Sequence, residues 1–585
     1  KLRGAAAGAA QKFLHHGQGD DEEEEEEQPV LEQQQHAAAK ENDIDTMKQH
    51  QLEEHQEKVV STPDGKSYPY KLEGTPFPFD FTTWKAPGGD RYQEWKDGTT
   101  PYTFDATILQ KSDDVARSRR FHIQKAMKFA YNSYEKYAMG HDEVLPQSKT
   151  AHDNWGGIGT TLVDSLDTLW LMDLKEEFWR GRDWVRDHLD HSLCRGSVSV
   201  FETTIRSLGG LLAAYDWSGD GAFLTHAADL GGRLFHAFDN PSGLPWGTID
   251  LNHPENKGNI GWAGGAQIVA EMGTLQVEFR YLSKMLNGTH PEYATKSERV
   301  FEILKDMNPK FGLYPYFIRS RNDKPEFANR KLTFGAMADS VYEYMLKVWL
   351  QGGKVEPLYR EMYDKAIQGM HDELLQTSTP SGLTFIADKN NDALDKKMDH
   401  LVCFMGGLLA LGAYTDPLGL QSERAQRDLK TGKALTYTCY QMYARMPTGI
   451  SAEFVQFHDG RDFDIGHGAP HYLLRPEAVE SFFILSWLTK DPIYREWSWE
   501  VFCAIERYCK TDIAYGSLHT VQDIHGKPEN KMESFFLAET LKYLYLAQDP
   551  DTEVDILNKH VFNTEAHPVR IFPVIDEALK KAKAA

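Results

Sequence analysis

No run of about 18 apolar residues occurs in the 585-residue chain, so no segment reads as a membrane-spanning helix. The five cysteines, Cys194, Cys403, Cys439, Cys503 and Cys509, form neither a CxxC pair nor a Cys/His set at zinc-finger spacing. There is no EF-hand loop, so any calcium site has to be assembled from distant segments. Lys and Arg number 64 against 87 Asp and Glu, and they gather into no basic face. A nucleic-acid partner is therefore not expected. The start, Lys1-Leu2-Arg3, lacks the apolar stretch of a signal peptide; the expectation is a processed chain, attached to a membrane only through an anchor upstream of it.

What the sequence does hold divides unevenly. Residues 1–75 are rich in Ala, Gln, Glu and His, with six consecutive Glu from Glu22 to Glu27. Such a stretch cannot bury enough apolar surface to offset its ordering entropy and is expected to be a disordered acidic stem. Residues 76–575 are expected to form one large domain. Within it, 76–100 is rich in Pro, Gly and aromatics and reads as an extended segment. Helical spacing of apolar residues then follows over 115–138, 201–215, 265–286, 333–350, 396–414, 475–489 and 528–547. Pro476 falls where a first helical residue is expected. Three punctuations resemble one another: Ser218-Gly219-Asp220-Gly221-Ala222-Phe223, Thr489-Lys490-Asp491-Pro492-Ile493-Tyr494, and the longer Asn287-Gly288-Thr289-His290-Pro291-Glu292-Tyr293. Each reads as a tight turn followed by an aromatic that docks the next helix. Helix hairpins of this kind need neighbours to bury their faces, and enough of them close into an all-α toroid. Short β-prone runs, 383–386 and 450–455, are expected as hairpins at its rim. Asn287-Gly288-Thr289 is also an N-glycosylation triplet.

The anomaly is acid placed inside apolar helix starts, where unpaired carboxylates are rare. Glu202 and Arg206 are four apart in Phe201-Glu202-Thr203-Thr204-Ile205-Arg206. Asp339 follows Met337-Ala338, with helix capping as the alternative role. Glu477 and Glu480 share a face behind Pro476, where first-turn acids also complement the helix dipole. Glu539 follows the pair Phe535-Phe536. Carboxylates, apolar walls and aromatic platforms together suit sugar cleavage, which needs an acid for the leaving oxygen and a base or nucleophile opposite it.

An ordered set of motifs narrows this. Asp164-Ser165-Leu166-Asp167-Thr168-Leu169, Phe201 to Arg206, Ala338-Asp339-Ser340, 398–404, Leu474-Arg475-Pro476-Glu477, Glu533-Ser534-Phe535-Phe536 and 562–568 follow one another over about residues 100–570. In this order the chain resembles glycoside hydrolase family 47, the class I α-1,2-mannosidases. The resemblance implies an (α/α)7 barrel and an inverting, calcium-dependent exo-mannosidase acting on high-mannose N-glycans of glycoproteins. It implies a monomer in the lumen of the secretory pathway, in the Golgi or endoplasmic reticulum. By the same resemblance Glu202 and Asp339 are catalytic carboxylates, either of which delivers the proton, and Glu477 is the base. Thr564 is the direct calcium ligand. Glu480, Glu539 and Glu565 hold calcium-bound waters. Arg206, Glu271, His400 and Phe535 line the subsite of the cleaved mannose, and Cys403 pairs with Cys439. Met337 stands where the endoplasmic-reticulum type carries Arg, which implies removal of several mannoses rather than one. A degradation-linked relative and a glycan-binding lectin on the same fold are the alternatives.

Overall fold

The computed structural model describes residues 96–99 and 104–584, together with a short antiparallel pair, Val60–Ser61 with Ser67–Tyr68. Two compact units are distinguished, Lys1–Glu73 and Gly74–Ala585. The expected acidic stem, apart from that pair, and most of the expected extended segment 76–100 lie outside the described residues.

In the larger unit, inner and outer helices alternate along the chain. The inner ones are α2 (Thr160–Leu171), α4 (Gly209–Ser218), α6 (Gln276–Met285), α8 (Asp339–Gln351), α10 (Phe404–Tyr414), α12 (Glu477–Thr489) and α14 (Leu541–Ala547). The outer ones are α1 (Ala106–Ala138), α3 (Lys175–His188), α5 (Gly221–Leu234), α7 (Pro291–Asp306), α9 (Pro357–Glu373), α11 (Glu423–Ala444) and α13 (Ile493–Tyr508). Each inner helix packs on the outer helix that follows it, and α14 packs on α1, which closes the ring of seven pairs. This is an (α/α)7 barrel. Burial follows the two layers. Every residue from Phe404 to Ala413 of α10 and all of α14 are buried, whereas α3 buries only Glu177, Phe178, Gly181 and Val185, a single stripe. A final helix, α15 (Phe572–Ala584), continues past the expected domain end at 575.

Sharp turns join inner to outer helices. Gly219 (φ 71°) ends α4 in the left-handed conformation, and Asp220 caps α5 by accepting from the Ala222 amide at 2.9 Å. Lys490 (φ 60°) takes the equivalent place after α12, and Asp491 accepts from the Ile493 amide at 3.1 Å. Phe223, Tyr293 and Tyr494 are all buried, as docking aromatics should be.

The other end of the barrel carries longer connections with small antiparallel sheets, among them Phe454–His458 between Lys397–Asp399 and Asp462–Ile465. Several helical expectations started too early for this reason. Residues 267–268 and 397–399 are strands, 333–338 is irregular, and 528–533 precedes the first turn of its helix. Buried apolar residues in these stretches, Ile268, Phe334, Met398 and Met532 among them, imitate a helical face. Pro476 is the N-cap rather than the first residue of α12. Cys403 and Cys439 form a disulfide, Cα–Cα 5.8 Å, tying the start of α10 to α11. Cys194, Cys503 and Cys509 are buried and outside it. Among the described residues no helix is long and apolar enough to cross a membrane.

Candidate active site

The inner helices share a polarity. Glu202 and Arg206 lie just before α4, Glu271 before α6, Phe404 begins α10, and Phe535 and Glu539 precede α14. Asp339 and Glu477 are themselves the first residues of α8 and α12. All of these line one cavity of about 330 Å³. The barrel therefore gathers helix N-termini, with their unpaired amides and positive dipole ends, around a pocket crowded with carboxylates. Two of the approaches, Thr204–Leu208 and Phe536–Thr540, are π-helical turns, a distortion that recurs where a helix must re-aim functional side chains.

A hairpin fills the floor. Strands His560–Phe562 and Pro568–Arg570 pair antiparallel and present Asn563-Thr564-Glu565-Ala566-His567 at the tip. Nearly every polar group of the tip is tied to an inner helix or its approach. The Asn563 side-chain amide donates to the Ile205 carbonyl at 2.8 Å and to Glu278 at 2.7 Å. His567 lies between Asp164 (2.9 Å) and Asp167 (3.1 Å) of α2. Burial alone would lower its pKa, but the two carboxylates outweigh it and hold the ring above the usual histidine range. Lys542 of α14 donates to Asp167 and to the Ala566 carbonyl, each at 2.7 Å. The Thr564 hydroxyl donates to Glu343 at 2.7 Å.

Above the floor, Arg206 is enclosed between the rings of Trp155 and Phe535, 5.2 and 5.5 Å from the guanidinium carbon. It pairs with Glu202 at 2.8 Å and with Glu565. Glu565 and Glu539 are pushed well above the usual carboxylate range by burial, with neighbouring carboxylates adding to it. Burial likewise raises Glu480 to about 8, although Lys347 opposes the shift.

Asp339 and Glu477 are driven apart. Asp339 is raised to about 7, by burial first and then by Glu343, Glu477 and Asp399 against one amide bond from Ser340. For Glu477, burial favours the neutral form, but the His400 hydrogen bond at 2.6 Å and the charge of Arg475 outweigh it and leave its pKa below the ordinary value. Glu271 is raised to about 7 by burial and by Glu202.

One side chain is placed differently from expectation. His400 is buried behind Glu477, bonded to it and to Tyr443, and is not part of the cavity wall. The other expected site residues, Met337 and Thr564 included, line the cavity. Sequence reasoning missed Glu343, Arg475, Trp262, Leu401 and Phe404, which line it as well. Glu343 was within reach: it sits one helical turn after Asp339 and so shares its face. Among the described residues no group of three or more His, Cys, Asp or Glu side chains is disposed to hold a metal directly.

The pattern described as glycosyl hydrolase family 47 matches residues 126–571. The chain belongs to glycosyl hydrolase family 47. Among family members, it is 44% identical over 462 residues to "Mannosyl-oligosaccharide 1,2-alpha-mannosidase MNS1" of Arabidopsis thaliana, covering 78% of this chain and 80% of that one. It is 41% identical over 480 residues to the "Endoplasmic reticulum mannosyl-oligosaccharide 1,2-alpha-mannosidase" of Mus musculus, covering 80% and 70%. A solved family structure, "alpha-1,2-mannosidase from Trichoderma reesei", superposes with TM-score 0.71 at 28% identity, covering 78% of this chain and 99% of that one. As a member of this family the chain is a glycoside hydrolase.

Proposed function

We propose that the chain is an inverting, calcium-dependent exo-α-1,2-mannosidase that trims high-mannose N-glycans in the lumen of the secretory pathway. The observation that carries this reading is the opposed tuning of two carboxylates in one cavity: Asp339 raised to about 7 and Glu477 held below its ordinary value. Such a pair supplies an acid and a base at the same pH. The names of the relatives supply the sugar and the linkage.

In this reading the terminal mannose rests on Phe535 with the floor hairpin beneath it. Asp339, protonated near neutrality, gives its proton to the leaving glycosidic oxygen. Glu477 takes a proton from water as that water attacks the anomeric carbon from the opposite face, which inverts the configuration. Asp339 suits the acid role better than Glu202, whose carboxylate is already committed to Arg206 at 2.8 Å. Glu202 and Arg206 then orient the sugar. Inversion by this route requires the two carboxyl groups to stand ~6.5–9.5 Å apart so that a water fits between.

Calcium fits the residues at the floor. They offer the carboxylate and hydroxyl oxygens a hard cation takes, since Glu343, Glu480, Glu539, Glu565 and Thr564 all line the cavity, and a bound cation would favour the ionised form of the buried acids. Thr564 would hold the ion directly, with Glu480, Glu539 and Glu565 holding its waters. When bound, the ion would supply a fixed positive centre for the hydroxyls of the sugar.

The test is digestion of a high-mannose oligosaccharide by the purified chain, with and without a chelator, followed by proton NMR of the released sugar. The reading requires chelator-sensitive release with β-mannose appearing first. Release of α-mannose first would refute inversion, and binding without release would identify a lectin.

A further inference from the structure

We propose that Asn287 carries an N-linked glycan, and that the chain trims this glycan only on a second copy of itself. Both halves rest on the lumenal location proposed above, and the second rests also on the activity.

Asn287-Gly288-Thr289 is the one triplet of its kind in the chain. All three residues are exposed. The backbone is left-handed at both Asn287 (φ 51°) and Gly288 (φ 76°), which turns the chain away from α6 before Pro291 begins α7. A Cβ built on Gly288 meets nothing within 4 Å, so the space around the turn is open. A bulky polar group attached here displaces no packing.

The position of the turn in the barrel carries the rest. Asn287 follows the C-terminal end of α6, whereas the cavity is lined from the N-terminal ends of the inner helices. The turn therefore belongs to the face opposite the mouth. α6 alone spans 10 residues, or about 15 Å of height. A sugar chain rooted on that face must pass around the outer helices, climb the barrel, cross the rim sheets and descend to Phe535. Its terminal mannoses point into solvent instead, where another molecule's pocket can take them.

The experiment uses the full chain secreted from a eukaryotic host whose own α-1,2-mannosidases are inhibited. Wild type and Glu477→Gln should each lose one glycan on deglycosylation, and Asn287→Gln should lose none. An unmodified wild-type chain overturns the first half. Glycosylated Glu477→Gln protein is then mixed with a catalytic amount of active Asn287→Gln protein. The Asn287 glycopeptide should lose hexoses, and on tenfold dilution of both proteins the rate per substrate molecule should fall about tenfold. Glycosylated wild type freed of inhibitor should show the same dependence on dilution; a rate that ignores dilution shows trimming within one molecule and overturns the second half. Free high-mannose oligosaccharide is the control. If Asn287→Gln cleaves it but not the glycopeptide, the second half falls; if it cleaves neither, the proposed activity itself has failed.

Discussion

His400 lies between two partners, Nδ1 at 2.6 Å from a Glu477 oxygen and Nε2 at 2.7 Å from the Tyr443 hydroxyl. Both His400 and Tyr443 are buried, so the imidazole is fixed at both nitrogens and cannot turn away from the carboxylate. Tyr443 should thus act on Glu477, the proposed base, through His400, since it does not itself line the cavity. Tyr443→Phe should lower kcat about tenfold with KM nearly unchanged, because the base loses its orientation but the sugar keeps its contacts. His400 is the largest influence lowering the Glu477 pKa, so loosening it should move the acidic limb of the pH–rate profile to higher pH. A profile that does not move would assign Tyr443 to packing alone.

As the proposed acid, Asp339 should give the basic limb. The base must be ionised, so activity rises as pH climbs through the depressed pKa of Glu477. The acid must be protonated, so activity falls as pH climbs through about 7. Asp339→Asn should remove that basic limb and cost ~10²–10⁴ in kcat. The same substitution should change stability with a definite sign. The folded pKa is raised from 3.8 to about 7, so stability is complete below the unfolded value and is lost as pH rises through the folded one. The variant should therefore match wild type near pH ~4 and exceed it near pH ~8 by a few kcal/mol at most, read by thermal unfolding at both pH values.

The two layers of the barrel differed in how plainly they could be read. The spans picked out by helical spacing were those around six of the seven inner helices, α2 being missed, together with α1. Inner helices such as α10 are apolar all round and stand out; outer helices such as α3 carry one buried stripe among charges and read weakly in single-sequence scanning. Boundaries failed where a rim strand runs straight into an inner helix, as at Lys397–Asp399, because burial against a sheet and burial in a barrel leave the same apolar residues. For the site, acids inside apolar helix starts were a usable signal, since the barrel turns those starts towards one pocket. The place of His400 was not legible: which of two neighbouring groups faces the cavity depends on packing with Tyr443, 43 residues away in sequence.

Arg206 tests the enclosed guanidinium. Its planar fork serves Glu202 and Glu565 while its faces meet Trp155 and Phe535. Lysine keeps the charge but neither the fork nor the stacking. Arg206→Lys should reduce kcat/KM by ~10²-fold, since the carboxylate it leaves unpaired is buried. Loss of less than about threefold in steady-state kinetics would show that charge alone suffices.

The disulfide is a separate matter of stability. It joins cysteines 36 positions apart in sequence, Cys403 and Cys439, for which the chain-entropy relation gives about 4 kcal/mol. Replacing both by Ser should lower Tm by about 4 °C in a domain of this size, as measured by calorimetry, with little change in KM. A shift of less than about 1 °C would mean that the unfolded chain gains little freedom from its loss.

Met337 is the residue proposed to decide how much the pocket accepts. It is a cavity-lining residue with left-handed backbone, φ 79°, and its carbonyl accepts from the Ala270 amide at 3.0 Å. That backbone is costly for a residue with a side chain and is held by its surroundings. The thioether joins Trp262, Ile268, Ala270, Leu401 and Phe404 in a largely apolar wall whose one side-chain donor is the Trp262 indole N–H, too few to fix one branch of a glycan. Wild type should therefore remove several α-1,2-linked mannoses in succession. Arginine at this position brings five donors on a long stem into the mouth, favouring the branch that matches them and obstructing the others. Met337→Arg should leave the first cleavage within about tenfold of wild type and slow the later ones by ~10²-fold, since unmatched polar groups in an enclosed site discriminate strongly. A time course of digestion products resolves this: wild type passes through each intermediate, and the variant accumulates the product of a single cleavage. Equal progress by both proteins would remove Met337 from any part in branch selection.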